Sequence, residues 1–505
     1  MAITTVKETT PAQRWGLLVT VSAGLLMIVL DNSILYTALP RLTTDLGATG
    51  SQSLWIINAY PVVMAGLLLG SGTLGDRVGH RRMFVIGLVV FAVASLAAAF
   101  APGAWPLVAA RAGLAVGAAI MMPATLALIA VTFHDERERN IAIGVWGSLS
   151  TVGMALGPIV GGALLEAFWW GSVFLINVPI AVAALAATLL LAPPNDPNPD
   201  KRWDLRSSVW ALVGLVGAVI TIKELAHTPQ NWTVVTGAAL ASAFGFTAFT
   251  RRQRRLPEPL LDFAIFRNNA FSAGVLAAAF AMFAIGGIQL VTTQRYQLLE
   301  GYTPLQAGLL VAAIALGVVP AALLGGAYLH RIGLLTLIAG GLCLATVGTI
   351  LIVLGAGSNL ALLITGLIVT GIGVGAAMSV ASTAIVGNVA PHRAGMASSV
   401  EEVSYEFGSL TAVALLGSLA VFVYSFTVTL PDGAPARAGE SLADAVTVAG
   451  QHPGVFDAAH TAYNQAYLVT MIVVTVVLGL GAALTGWLLR RHSPGTAAAA
   501  YTGGH

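Results

Sequence analysis

Apolar stretches of about 20 residues recur fourteen times along the chain, and each is long enough to cross the roughly 30 Å hydrocarbon core of a bilayer as a helix. They fall at roughly 15–38, 53–72, 82–100, 106–129, 141–165, 169–191, 207–225, 232–250, 269–292, 304–326, 333–355, 359–385, 397–424 and 466–489. In hydrocarbon a spanning segment must satisfy its own backbone polar groups, so this repetition predicts an all-α polytopic membrane protein. Composition agrees: 57% of the 505 residues are hydrophobic and 9% are charged, against about 25% charged in soluble domains. The first run contains Asp31 and is too long for a signal-peptide core, so no cleavable signal is expected. The single cysteine, Cys343, excludes a disulfide framework and a multi-thiol metal site, and no metal is expected.

An even number of crossings puts both termini on one side. Nineteen of the 24 Lys and Arg residues fall on that side, in clusters such as Arg77/Arg81/Arg82, Arg137/Arg139, Lys201/Arg202/Arg206 and Arg251/Arg252/Arg254/Arg255, whereas the opposite side holds Arg41, Arg295 and Arg437. The bias of basic residues toward the cytoplasm therefore predicts a cell-membrane protein with both termini on the cytoplasmic side. These clusters read as topology and lipid contact, not as a nucleic-acid surface. An internal repeat divides the chain. Gly72-Thr73-Leu74-Gly75-Asp76-Arg77-Val78-Gly79 after the second span is answered by Gly326-Ala327-Tyr328-Leu329-His330-Arg331-Ile332-Gly333 after the tenth, and Gly117-Ala118-Ala119 by Gly375-Ala376-Ala377. The expected organisation is a six-helix half (1–192), linkers with an inserted helix pair (193–266), and a second six-helix half (267–491) with a polar outer loop (425–465), followed by a tail (492–505). Paired halves are transporter architecture, with a binding site near the midplane between them. The outer loop reads as a hairpin or cap with a helix-compatible stretch from Gly439 to Val448, or as a loose linker.

Carboxylates in the spans carry the chemistry. Glu401, Glu402 and Glu406 lie in the thirteenth span. On a helix Glu402 and Glu406 share one face, with Glu401 and Tyr405 on the neighbouring stripe. A charged carboxylate at mid-bilayer costs a few kcal/mol, so that face must look at the protein interior. Asp31 in the first span reads as a lone acid; loss of water penalises its charged form and makes it a candidate proton carrier. Arg111, deep in the fourth span, must find an acid, a carbonyl or water. Lys223, at the end of the seventh span, is expected to reach out to the interface. After the second span, Gly72, Asp76, Arg77, Gly79 and Arg81 suit a conformational latch: glycines permit the turn, Asp76 can cap a helix, and Arg77 and Arg81 can form ion pairs. The fifth span carries Gly144, Gly153, Gly157, Pro158, Gly161 and Gly162, small residues for close helix approach with a proline that bends the helix. His80, His134 and His330 lie in loops on the basic side without a catalytic arrangement, and no phosphate-binding loop is present, so neither an enzyme nor direct ATP drive is expected.

Together these motifs resemble the major facilitator superfamily, and the Leu30-Asp31 signature, the Val400–Gly408 stretch and fourteen spans resemble its second drug:proton antiporter family, close to the quaternary-ammonium and methyl-viologen exporters of the QacA/SmvA type. The resemblance extends from about Trp15 to Leu489. It implies proton-driven export of lipophilic cations such as quaternary ammonium compounds, dyes and biguanides, with no cofactor, by a monomer. It assigns Asp31, Glu401, Glu402 and Glu406 to proton coupling and cation recognition, names the Gly144–Gly162 segment an antiporter motif, and brings Asp76 to the start of the thirteenth span. Tyr36, Trp55, Asn58, Tyr60, Trp146, Phe283 and Tyr405 are candidates for the substrate pocket. Asn58 stands where some relatives carry an acid, and the tenth span has none, which favours monovalent cations or uncharged antibiotics over dications. The alternatives are a dedicated self-resistance exporter of one antibiotic and a proton-coupled metabolite transporter.

Overall fold

The computed structural model describes residues 10–133, 135–199, 203–226, 230–257, 259–357, 359–389 and 394–491. These residues form helices and no strand. The first six crossings are α1 (Pro11–Leu46), α2 (Gly50–Val78), α3 (His80–Ala99), α4 (Ala104–Thr132), α5 (Glu136–Ala167) and the broken pair α6 (Ser172–Leu175) and α7 (Asn177–Leu191). Then come α8 (Leu205–Ala226) and α9 (Trp232–Gln253), followed by α10 (Asn269–Leu298), α11 (Pro304–Ile332), α12 (Gly341–Gly355), α13 (Leu360–Val386), α14 (Ala394–Thr411) continuing into α15 (Ser418–Thr427), the short α16 (Leu442–Ala449) and α17 (Val455–Leu489). Thirteen of the crossings are apolar and long enough to span a membrane; the apolar part of α5, Val152–Ala167, is shorter. The tail 492–505 lies outside the described residues.

The internal repeat has a physical counterpart in how two helices start and stop. Helices α2 and α11 both open on a threonine that caps the third backbone N–H while a glutamine reaches back, Thr49 with Gln52 and Thr303 with Gln306. Both end on a glycine with positive φ, 96° at Gly79 and 82° at Gly333, a conformation that side chains with a Cβ resist. The α2–α3 connection is therefore a single residue. In the expected latch, Asp76 does not cap a helix: it sits in the last turn of α2 and pairs with His80 at 3.3 Å. Arg81 makes no described ion pair and donates instead to the Leu189 carbonyl at 2.8 Å, while Arg77 is exposed. His80 is the first residue of α3, not a loop residue; His134 lies outside the described residues. The linker after α7 is bound down as well: Asn195 donates to the Val78 carbonyl at 2.8 Å and accepts from the Arg82 N–H at 3.0 Å.

The α8–α9 pair is closed at its basic end by Asp204, which accepts from Arg252 at 2.8 Å and from Ser207. Burial pushes the Asp204 carboxyl up, but these hydrogen bonds outweigh it and hold the group below the ordinary carboxylate range. A depressed carboxyl stabilises the fold above its unfolded value, about 4, and loses that contribution as pH falls through the folded value. Along its length α8 bridges two parts of the bundle, since Leu215 and Val219 pack with Val62 and Ala65 of α2 and with Leu410 and Ala414 beyond the acidic stretch. Lys223 reaches the outer start of α2, where Ser51 is exposed. It is buried, donates to the Ser51 carbonyl at 2.6 Å and lies 4.7 Å over the Trp55 ring.

On the side opposite the basic loops the outer connection is shorter than 425–465, because α15 runs to Thr427 and α17 starts at Val455. It is a packed cap: Leu442, Ala445 and Val448 meet Val455, Ala459 and Tyr463 in a small apolar core, and the Tyr424 hydroxyl donates to the Ala438 carbonyl at 2.8 Å. Arg295 belongs to the last turn of α10, not to a loop, and is buried against Asn464 and Glu300.

The first and last helix sets touch tightly where α5 meets α11. A Cβ at Gly308 would lie 2.2 Å from the Pro158 carbonyl oxygen, and one at Gly162 would lie 2.5 Å from Leu305 Cα. Gly308→Val is therefore expected to wedge this seam apart. The expected readout is labelling of a cysteine placed at Leu305, faster in the valine variant than in a Gly308 control.

Candidate functional site

The site forms where α1, α4 and α14 approach one another. Asp31 is not a lone acid, contrary to the sequence expectation. Its carboxylate takes a short hydrogen bond from Arg111 Nη1, and both side chains are fully buried. Its second oxygen accepts from Asn177 Nδ2 at 2.8 Å. The break between α6 and α7 makes this possible by placing Asn177 at a helix start inside the bundle. Arg111 has found the partners its burial demands: besides Asp31, it donates from Nε to the Ile56 carbonyl at 3.3 Å, and its guanidinium lies 4.6 Å over the Tyr60 ring. Its remaining nitrogen, Nη2, has no hydrogen-bond partner among the described residues.

Helix α14 presents its three acids as the helical spacing predicts. Glu401 turns toward α13, accepting from Tyr405 Oη at 3.1 Å and from Ser382. Glu406 turns toward α1 and α4. Arg111 is the charge that acts on it from the first six helices, and its Oε2, buried, has no described partner. Glu402 lies between them, half-buried, with the charges of both neighbours acting on it. Three carboxylates within two helical turns repel one another when ionised, and removal from water penalises the charge again. Such a cluster is eased by anything that cancels its charge.

The aromatic candidates divide. Tyr36 reaches Ser409 of α14 at 2.9 Å, Tyr60 lies under Arg111, and Tyr405 holds Glu401, so all three border the carboxylates. Trp55 does not. It faces α8 and Lys223, because residues 55, 62 and 65 share the α2 face that α8 covers. Trp146 is buried with its N–H on Thr125 Oγ1 at 3.1 Å, and Phe283 is buried in the main core. Asn58 is fully buried and neither amide atom has a described partner. In the antiporter motif, Gly153, Gly157 and Gly161 face α1: a Cβ at Gly157 would meet Ser33 at 2.4 Å. The surroundings of Gly144 lie outside the described residues. The meeting of Asp76 with the start of the thirteenth span also falls where residues 390–393 lie outside them; α2 does reach α14 at Gly72, 3.9 Å from Ser399 Oγ as measured from a built Cβ. Sequence reasoning missed Asn177, Ser382 and Ser409. A lone amide within a span was a usable signal for Asn177; the serines gave none.

The pattern of the Major Facilitator Superfamily matches residues 21–413. The chain belongs to this superfamily. It is 36% identical to the multidrug efflux pump LfrA of Mycolicibacterium smegmatis over 95% of this chain and 97% of that one. It is 32% identical to the methyl viologen resistance protein SmvA of Salmonella typhimurium, over 91% and 95% respectively. A bacterial homolog of the human lysosomal transporter Spinster, solved inward-facing, shares the fold with a TM-score of 0.63 at 16% identity, covering 95% of this chain and 98% of that one. The major facilitator chain described here is thus a multi-pass membrane transporter and not an enzyme.

Proposed function

We propose that the protein is a secondary active multidrug exporter of the cytoplasmic membrane, exchanging protons for lipophilic cations by alternating access. The two six-helix sets rock about the carboxylate site, with α8 and α9 as an inserted pair, both termini in the cytoplasm, and no cofactor or second subunit in the cycle. One observation carries this reading: on α14, a half-buried Glu406 carboxylate, one oxygen of it buried and unpartnered, lies within the field of Arg111, which in turn holds Asp31 in the other helix set. Because Asp31 already has Arg111, the exchange falls on Glu406 and its neighbour Glu402, while the Asp31–Arg111 pair sets the field they feel. Cation and proton compete for the same charge, since neither carboxylate is comfortable bare in the interior. Tyr36, Tyr60 and Tyr405 offer ring faces to the apolar body of the cation.

The names of LfrA and SmvA support drug export. Asn58 carries no charge, and α11 contains no acid, so monovalent cations are the expected substrates, with methyl viologen, a dication, expelled weakly. The test is efflux of ethidium from energised cells expressing the chain. Efflux should accelerate when the medium is acidified and stop with a protonophore, and growth protection should spread over several unrelated monovalent cations. Efflux indifferent to the protonophore would overturn proton drive, and protection against one compound alone would make this a dedicated exporter.

A further inference from the structure

Tyr36 of α1 and Ser409 of α14 join the first and last helix sets with a hydrogen bond between hydroxyls, 2.9 Å long and buried. Room for it is left by Gly286 of α10: a Cβ there would stand 3.2 Å from Tyr36 Oη and 3.8 Å from Ser409 Cα. Ser409 stands three residues beyond Glu406, so the two side chains are neighbours on one helix face. Arg111 of α4 acts on Glu406, and the Glu406 charge in turn reaches Tyr36 of α1, Tyr60 of α2 and Glu402 on its own helix; at the Tyr36–Ser409 contact α10 presents Gly286. Each hydroxyl has one proton to give and can also accept. If Tyr36 donates to Ser409, the serine proton is free to turn toward the unpartnered oxygen of Glu406.

We infer that Tyr36, Ser409 and Glu406 form a lock that keeps the empty carrier from crossing the membrane. The inference rests on the proton-for-cation exchange proposed above. An ionised, unoccupied Glu406 draws the Ser409 hydroxyl toward itself, which leaves the serine oxygen oriented to accept from Tyr36. A chain of hydroxyls ending on a charge is stronger than an isolated pair, so the seam between the helix sets is held shut. A proton on Glu406 removes the charge, and a cation on Glu406 takes it over. Either guest weakens the chain and lets the seam part. This is the condition for obligatory exchange, because a carrier that crosses empty lets each guest run down its own gradient alone. Two further contacts cross the same seam: Gln297 Nε2 donates to the Thr37 carbonyl at 2.9 Å, and Thr293 Oγ1 lies 2.9 Å from the Tyr36 carbonyl while sharing its one proton with the Gln289 carbonyl of its own helix at 2.7 Å. Neither touches a carboxylate, so they keep α1 and α10 in register without reading the charge state.

The test uses the full chain reconstituted in liposomes loaded with ethidium. Release is measured with both sides alkaline, where few protons are available for exchange, and again with the outside acidic. The parent should release ethidium far more slowly under alkaline conditions. Tyr36→Phe and Ser409→Ala should each raise the alkaline rate by about tenfold, the effect of removing one hydrogen bond from the locked state, and the double variant should add nothing to either. Gly286→Ala, which crowds the hydroxyl pair while keeping both groups, should shift the ratio of alkaline to acid release in the same direction. A merely structural role would slow both rates and leave their ratio alone. Variants with the parent's ratio, or effects that add, would overturn the lock while leaving the exchange intact. A parent without acid dependence would sink the exchange itself, and the lock with it.

Discussion

Replacing Arg111 with methionine is expected to cost about 3–5 kcal/mol of stability, because it strands the Asp31 carboxylate inside the bundle with only Asn177 as partner. The pair itself contributes little beyond the cost of its own desolvation; breaking it is what is expensive. Asp31→Asn alone should be nearly as damaging, since it leaves a fully buried guanidinium with the Ile56 carbonyl and the Tyr60 ring. Combining Asp31→Asn with Arg111→Met removes both charges, and should restore most of the thermal stability measured in detergent without restoring efflux. Full additivity of the two single losses in the double variant would contradict a direct pair.

The second large effect is expected at Glu406. Glu406→Gln keeps the size of the side chain and removes no described hydrogen bond from Oε2, so folding should be unaffected. Transport should fall by about a hundredfold, because a cation left in the interior without its counter-charge loses on the order of 3 kcal/mol, at about 1.4 kcal/mol per decade. Trp55→Phe is the matched control. That ring faces α8 and Lys223, so its substitution should leave ethidium efflux within about twofold of the parent, well under 1 kcal/mol.

Local signals in the sequence led correctly to local structure. Twenty-residue apolar runs became the crossings, the helical spacing turned Glu401 and Glu406 to different neighbours with Glu402 between them, and the repeated glycine after α2 and α11 marked two turns that require positive φ. What the sequence hid was pairing between distant segments. Asp31 and Arg111 are 80 residues apart, and nothing in either span names the other. Asp31 therefore read as a lone proton carrier when it is half of a buried ion pair. Trp55 and Lys223 hid their partners in the same way: only when α8 is laid against α2 does the Lys223 ammonium come over the Trp55 ring. In an interior where every span is apolar, periodicity says which residues share a helix face but not which neighbour that face meets. The latch residues show a smaller version of the problem, since Asp76 found His80 one turn away and Arg81 found a carbonyl of α7.

The central claim, that cation and proton occupy the same α14 carboxylates in turn, is tested most directly by counting protons released when ethidium is added to the purified protein in weakly buffered detergent solution. The account predicts that cation binding expels protons from the parent, and that Glu406→Gln releases fewer and binds more weakly. Ethidium binding with no proton release, or the same release from Glu406→Gln as from the parent, would contradict it.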